Sequence, residues 1–202
     1  MNSPMREMVK AHIQRSIEVK RAVLAGTLVD QVVEAGLLLA GAFRAGQKVL
    51  LCGNGGSAGD AQHIATEFVI RYQAANKREA LPAISLATDT SALTAGGNDL
   101  GFDLVFARQV EALGRSGDVL IGITTSGNSP NIIEAFRMGR SKGMRHVLLS
   151  ADRGGRIMKD APELVDIALL VPSQETARIQ ECHIMLGQIL CAVVEKELYG
   201  FD

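Results

Sequence analysis

The sequence has no apolar run of the ~20 residues that a membrane-spanning helix needs, no long block of like charge, and only three cysteines. Each shortage excludes something. Without the apolar run, no transmembrane helix is expected, and a membrane is not an expected partner. Without a basic block, and with a formal net charge of −1, neither nucleic acid nor a polybasic membrane surface is expected as the main partner. Cys52, Cys182 and Cys191 show no CxxC spacing. The first twenty residues, MNSPMREMVKAHIQRSIEVK, are amphipathic and charged, without the apolar centre of a secretory signal. An odd cysteine count in such a chain reads as free thiols in a reducing cytoplasm.

What remains is ample for a core. The chain has 202 residues, 47% of them apolar, which fits one domain of ordinary size, 1–202, with no linker or repeat to divide it. Residues up to about 45 carry apolar side chains at helical spacing. Met8, Ile13, Ile17 and Val23 fall in a first helix, and Val29, Val32, Val33 and Leu37–Leu39 in a second, with Gly26 between them. The period then changes. KVLLC (48–52), PAISL (82–86), DVLIGIT (118–124), RHVLLS (145–150) and LVDIALLV (164–171) are short apolar runs. Helical patterns separate them at about 57–76, 90–113, 130–142 and 155–159, and a long closing helix covers 174–199. Buried strands alternating with helices predict a parallel sheet covered on both faces.

Ligands of open parallel sheets bind beyond the carboxyl ends of strands, and two such ends are rich in small polar residues. The first is CGNGGSAGDAQH (52–63). Its glycines let a backbone approach an anion, Ser57 with Asp60 has the spacing of a capping box, and the following helix start offers free N–H groups. The second is GITTSGNSPNIIEAF (122–136), where Thr124, Thr125, Ser126 and Ser129 place four hydroxyls within six residues and Pro130 suits a first helical position. Together they predict a neutral phosphate cup. No lysine follows the glycines as in a P-loop, and the first loop lacks the GxGxxG spacing of a dinucleotide site. Past that loop, His63 and Glu67 stand four apart, on one helix face, and both are acceptable zinc ligands.

The motifs CGNGGSAGDAQHIATEF, GND (97–99), GDVLIGITTSGNSPNII and ARIQECH resemble the bacterial phosphoheptose isomerases of the sugar isomerase (SIS) fold, along nearly the whole chain. The resemblance implies an α/β three-layer sandwich around a five-stranded parallel sheet, and a homotetramer in which residues 1–45 serve packing and oligomerisation. It implies conversion of sedoheptulose 7-phosphate into D-glycero-D-manno-heptose 7-phosphate through an enediol, the first step towards nucleotide-activated heptose for lipopolysaccharide or other surface glycans, with zinc at the active site. By matching positions, Ser57, Thr124, Thr125, Ser126 and Ser129 would hold the phosphate. Asn54, Gly55 and Gly56 would line the sugar, and Asn98 and Asp99, on a GGND loop, would contact its hydroxyls. His63, Glu67 and Gln180 would be metal ligands, Gln180 also touching substrate, and Glu67 would be the catalytic base.

One position departs. The family carries a second histidine eight residues after the Gln of RIQE, serving metal binding and acid/base chemistry; here it is Gln188. An amide offers a metal only a neutral oxygen and has no proton to exchange near neutral pH, so zinc binding and turnover are both expected to be weaker. The other reading is a non-catalytic SIS protein binding a partner, as some relatives bind the bacterial replication initiator. His63, Glu67, Asp99 and Gln180 favour the enzyme; Gln188 favours the alternative. His183, three residues after Gln180, reads as a partly buried polar residue of the closing helix.

Overall fold

The computed structural model describes residues 3–201. Two helices come first, α1 (Pro4–Ala25) and α2 (Leu28–Arg44), separated at Gly26. There follow β1 (Val49–Gly53), α3 (Gly56–Val69), β2 (Ala83–Ser85), α4 (Thr90–Asp99), α5 (Val105–Leu113), β3 (Val119–Ile123) and α6 (Pro130–Ser141). The chain closes with β4 (Arg145–Ala151), α7 (Gly155–Asp160), β5 (Ile167–Val171) and α8 (Thr176–Tyr199). All five expected strands form, and they pair in parallel in the order β2-β1-β3-β4-β5.

Alternation along the strands divides the core in two, which is what makes three layers. Val49, Leu51, Val119, Ile121 and Ile123 face a core shared with α2, α3 and α8. Leu50, Cys52 and Leu120 face the opposite core, filled by Val105, Phe106, Ile132 and Phe136 from α5 and α6. The strand order reverses between β1 and β3, and it is their two following loops that carry the Gly/Ser/Thr clusters. Doubly wound sheets bind ligands at such a switch point because the loops there diverge to opposite faces and leave a crevice.

Three local expectations are corrected. The helix expected over 57–76 stops at Val69; the polar stretch after it, helical by composition, folds back over the helix end, where Arg78 bonds to the carbonyls of Glu67 and Phe68. The helix expected over 90–113 is two helices, because Gly101 takes a positive φ of 87° and begins a 3-10 turn at Phe102–Leu104. Asn98 and Asp99 therefore sit in the last turn of α4 rather than on a loop. Ser57 is not a helix cap: Gly55, at φ 56°, occupies that position, and Ser57 lies in the first turn, buried.

Two histidines are sealed inside. His146 stacks on Phe136 and its Nδ1 donates to the Leu164 carbonyl at 2.6 Å, while Nε2 has no partner among the described residues. His183 Nε2 lies 3.1 Å from the Ser150 carbonyl. Burial pushes both down to about 4. The folded chain thus keeps these rings neutral, while unfolded histidine protonates near pH ~6.5. Their stabilisation is complete above that value and is lost as pH falls towards 4. Asp166 and Glu195 are held below the ordinary carboxylate range, with arginine and hydrogen-bond partners outweighing burial, and act only in more acid solution. Denaturant midpoints should be flat above pH ~7 and decline below ~6.5, by roughly 2 kcal/mol per ring at pH ~5; a midpoint unchanged between pH 7 and pH 5 would contradict this.

Candidate active site

The loop after β3 closes on itself through hydroxyls. Thr124 Oγ1 and Ser129 Oγ are 3.0 Å apart, and Ser126 Oγ accepts from the Asn128 N–H at 3.2 Å. Ser129 stands at the N-cap of α6 and Pro130 at its first position, as expected, although the Ser129 hydroxyl engages Thr124 and not the helix end. The loop is pinned against the one after β4: the Ile157 N–H donates to the Gly127 carbonyl, and a Cβ on Gly127 would stand 2.0 Å from the Gly154 oxygen. Only glycine permits that approach. Beside it opens a cleft of about 420 Å³ at the carboxyl ends of β3, β4 and β5, lined by Thr125, Ser126, Asp152, Arg153, Ser173 and Gln174 among others. The last four were not singled out from the sequence. Arg153 and Asp152 give this rim one cation and one carboxylate beside its hydroxyls, and nothing in their local pattern marked them.

The loop after β1 is tied to the same place. Asn54 and Asn131 exchange two side-chain hydrogen bonds, of 2.9 and 2.8 Å, joining the first glycine loop to the start of α6. Gly55 and Gly56 then begin α3. A Cβ on Gly56 would come within 2.3 Å of the Gln180 amide nitrogen, so Gln180 of α8 packs directly on this loop.

Further along, α3 and α8 hold the titratable part. His63 Nε2 lies 3.0 Å from Glu67 Oε1, and the Gln188 amide lies 3.4 Å from the same ring nitrogen. Gly187 leaves room for Ile64, whose side chain a Cβ there would meet at 2.3 Å. The contact Gly56–Gln180 lies early in both helices and the contacts His63–Gln188 and Ile64–Gly187 lie later in both, so the two helices run parallel. Gln180 and Gln188 are about 12 Å apart along α8 and meet different parts of α3. Asp60, read as a capping residue, is half-buried; burial raises its carboxyl, the nearby His63 opposes this, and its Oδ2 has no partner among the described residues. His183 is fully buried against β4, a polar residue of the closing helix that does not reach the pocket.

Asn98 and Asp99 are hydrogen-bonded to each other at 2.7 Å and exposed. Asp99 lines a different groove, of about 660 Å³ between α4 and α5. Within one chain, therefore, Asn54, Thr124 and Ser129 gather at one end of α3, and His63, Glu67 and Gln188 gather further along it. Asn98 and Asp99 stand apart.

For a metal, the donors are one imidazole, one carboxylate and amides. Among the described residues no three His, Cys, Asp or Glu side chains cluster as a metal would need. Even so, Glu67 Oε1 and Gln188 Nε2 both lie close to His63 Nε2, at 3.0 and 3.4 Å. The imidazole and the carboxylate suit a divalent ion, and Gln188 would add a weak third donor with its amide turned to present oxygen.

A five-stranded parallel sheet with hydroxyl- and glycine-rich loops at its switch point defines a sugar isomerase domain, and the SIS domain family model matches residues 13–150. A phosphoheptose isomerase of Sulfurimonas denitrificans is 46% identical over 197 residues, covering 97% of this chain and 98% of the relative. One from Pelodictyon phaeoclathratiforme is 55% identical over 168 residues, covering 83% and 78%. The solved phosphoheptose isomerase GmhA of Neisseria gonorrhoeae superposes with a TM-score of 0.86 at 44% identity, covering 95% of this chain and 99% of that one. That of Francisella tularensis gives 0.90 at 33%, covering 96% and 100%. The chain belongs to the phosphoheptose isomerases of the SIS family.

Thr125 and Ser126 are expected to take the phosphate. Replacing Ser126 by alanine should weaken sugar-phosphate binding in calorimetry by about 1 kcal/mol or more, the worth of a hydrogen bond to a charged group. Unchanged affinity in alanine variants at Thr124, Thr125, Ser126 and Ser129 would remove this loop from the site.

Proposed function

We propose that this phosphoheptose isomerase interconverts sedoheptulose 7-phosphate and D-glycero-D-manno-heptose 7-phosphate, with Glu67 as the base that moves a proton between C1 and C2. The observation that carries the reading is the build of α3. Its first turn packs under Gln180 and follows directly on Asn54, which is bonded to Asn131 beside the hydroxyl loop, and His63 and Glu67 lie about two to three turns further along, with Gln188 against them. A sugar phosphate anchored at the loops thereby presents its reacting carbons to a carboxylate. Binding energy gathered at the phosphate positions the far end of the substrate. The partner-binding alternative has no support: the relatives and solved structures above are isomerases by name.

An enediol route needs a base at carbon and a proton source near the carbonyl oxygen. Glu67 accepts the carbon-bound proton. His63, on the neighbouring turn and in contact with the carboxylate, orients it and can hold a proton. Gln188 can donate its amide hydrogen bond but cannot give up a proton. His63, Glu67, Gln188 and, from the loop side, Gln180 are the residues that would hold zinc, and zinc when bound supplies positive charge for the developing enediolate oxygen. With two neutral amides in the set, zinc is held weakly.

Purified protein incubated with sedoheptulose 7-phosphate, with and without zinc, should form the aldose slowly. Gln188→His should raise the rate by ~10²–10⁴-fold, the usual contribution of a general acid or base, and should tighten zinc binding in calorimetry. A histidine variant no better in either respect would overturn this account of position 188.

The working unit is a homotetramer in a reducing cytoplasm. α1 buries only Val23, leaving Met8, Val9, Ile13 and Leu24 half or more exposed. An apolar groove of about 310 Å³ runs between α1, α2 and α8, with Val29, Val33, Met185 and Ile189 in its wall. α4 buries no residue at all. A second copy covers such faces at least cost, and would bring Asn98 and Asp99 to a neighbour's crevice. All three cysteines are free and buried, as a reducing compartment allows. Light scattering should give four times the chain mass; a monomer at micromolar concentration would contradict it.

A further inference from the structure

The contact that ends α3 has a bearing on its chemistry. A helix leaves its last carbonyls without helical partners, and in α3 those include Glu67. The Glu67 carbonyl accepts from Arg78 Nη2 at 2.7 Å, and the Phe68 carbonyl from Arg78 Nη1 at 2.8 Å and from the Leu81 N–H at 3.1 Å. The third guanidinium nitrogen, Nε, donates to Glu195 of α8 at 2.6 Å. Arg78 and Glu195 are buried, and Glu195 also accepts from Asn76 Nδ2 at 2.7 Å and from the Tyr72 N–H at 3.3 Å. Glu195 is seven residues beyond Gln188, two turns along the same face of α8. One guanidinium therefore spans the backbone of the residue whose carboxylate faces His63 and the helix that carries Gln188.

We infer that Arg78 is a positioning residue for the isomerisation: it fixes where Glu67 stands relative to Gln188 and the substrate carbons, acting through the Glu67 carbonyl and Glu195. All three nitrogens of the fork are used, Nη1 also donating to the Glu79 carbonyl at 2.9 Å, in directions set by a rigid plane that an ammonium cannot reproduce. The favourable cation at a helix carboxyl end adds to this. Nothing in the clamp reaches the loops at the other end of α3, so phosphate binding does not depend on it. The inference rests on Glu67 being the base.

The test separates proton abstraction from binding. Sedoheptulose 7-phosphate is incubated with the protein in D2O, and deuterium entering at C1 is followed by NMR, which reads Glu67 without needing completed turnover. Arg78→Lys should lower the exchange rate by about tenfold or more, with sugar-phosphate affinity by calorimetry within twofold of the parent. Glu195→Asp, a milder change that keeps the charge, should lower exchange in the same sense and serves if the lysine variant does not fold. Asp118→Asn is the stability control. It weakens a buried acid at the amino end of the sheet, bonded to Lys48 and Arg115, and should leave exchange unchanged at a comparable loss of melting temperature. Undiminished exchange in the folded Arg78 and Glu195 variants, or an equal loss in Asp118→Asn, overturns the inference alone. A parent chain that binds the sugar phosphate but exchanges no proton overturns Glu67 as the base and this inference with it.

Discussion

The site depends on how closely α3 and α8 approach each other. Two glycines set that distance: Gly56 under the Gln180 amide and Gly187 under Ile64, each with a would-be Cβ contact of 2.3 Å. A methyl group at either point would wedge the helices apart, since packed interiors have no slack to absorb it. Parallel helices held this tightly carry their polar residues past one another in fixed register. That is why His63 meets Gln188 although the two are 125 residues apart in sequence. The sheet supports this arrangement by delivering both helices from the carboxyl ends of its strands, since each follows a strand of one parallel set.

The strands were legible because each is a short apolar run bounded by polar or glycine residues, and burial on both faces leaves no other pattern. The two ligand loops were legible for the same local reason: hydroxyls and glycines at strand ends have a mechanism of their own. The end of α3 was not. Residues 70–76 are acceptable helix formers, and what stops the helix is Arg78 returning to its carbonyls, a tertiary contact. The break at Gly101 was a local signal passed over, since the apolar spacing on either side reads as one helix. Ser57 was misread as a cap because glycine can do the same work without a hydroxyl. Gln180 and Gln188 drew notice only through resemblance to a family. A glutamine on a helix says nothing until its neighbour across the gap is known. Arg78, Glu195 and Arg153 gave no signal for the same reason.

Charge is distributed unevenly over the functional half of the molecule. The crevice at the switch point is formed by hydroxyls, amides and glycines, with Arg153 and Asp152 at its rim, whereas His63 and Glu67 lie further along, between α3 and α8. An anion at the loops therefore meets mainly dipoles, with the Arg153 cation and the Asp152 carboxylate at the rim. Hydroxyls and helix N–H groups hold a phosphate without drawing it into a permanent ion pair, which suits a substrate that must leave again at either end of a reversible reaction.

The reciprocal amide pair between Asn54 and Asn131 sets how the two loops behave as conditions change. It is uncharged at every pH the protein can survive, and salt does not screen it. An ion pair in its place would loosen with ionic strength and a histidine would loosen with acid. Each amide spends one N–H and one oxygen lone pair on the other, leaving one donor and one acceptor direction free. The crevice therefore has a hinge-free jamb. Its width is a property of the covalent chain and two matched dipoles, and it stays the same whether the cell is dilute or crowded with ions.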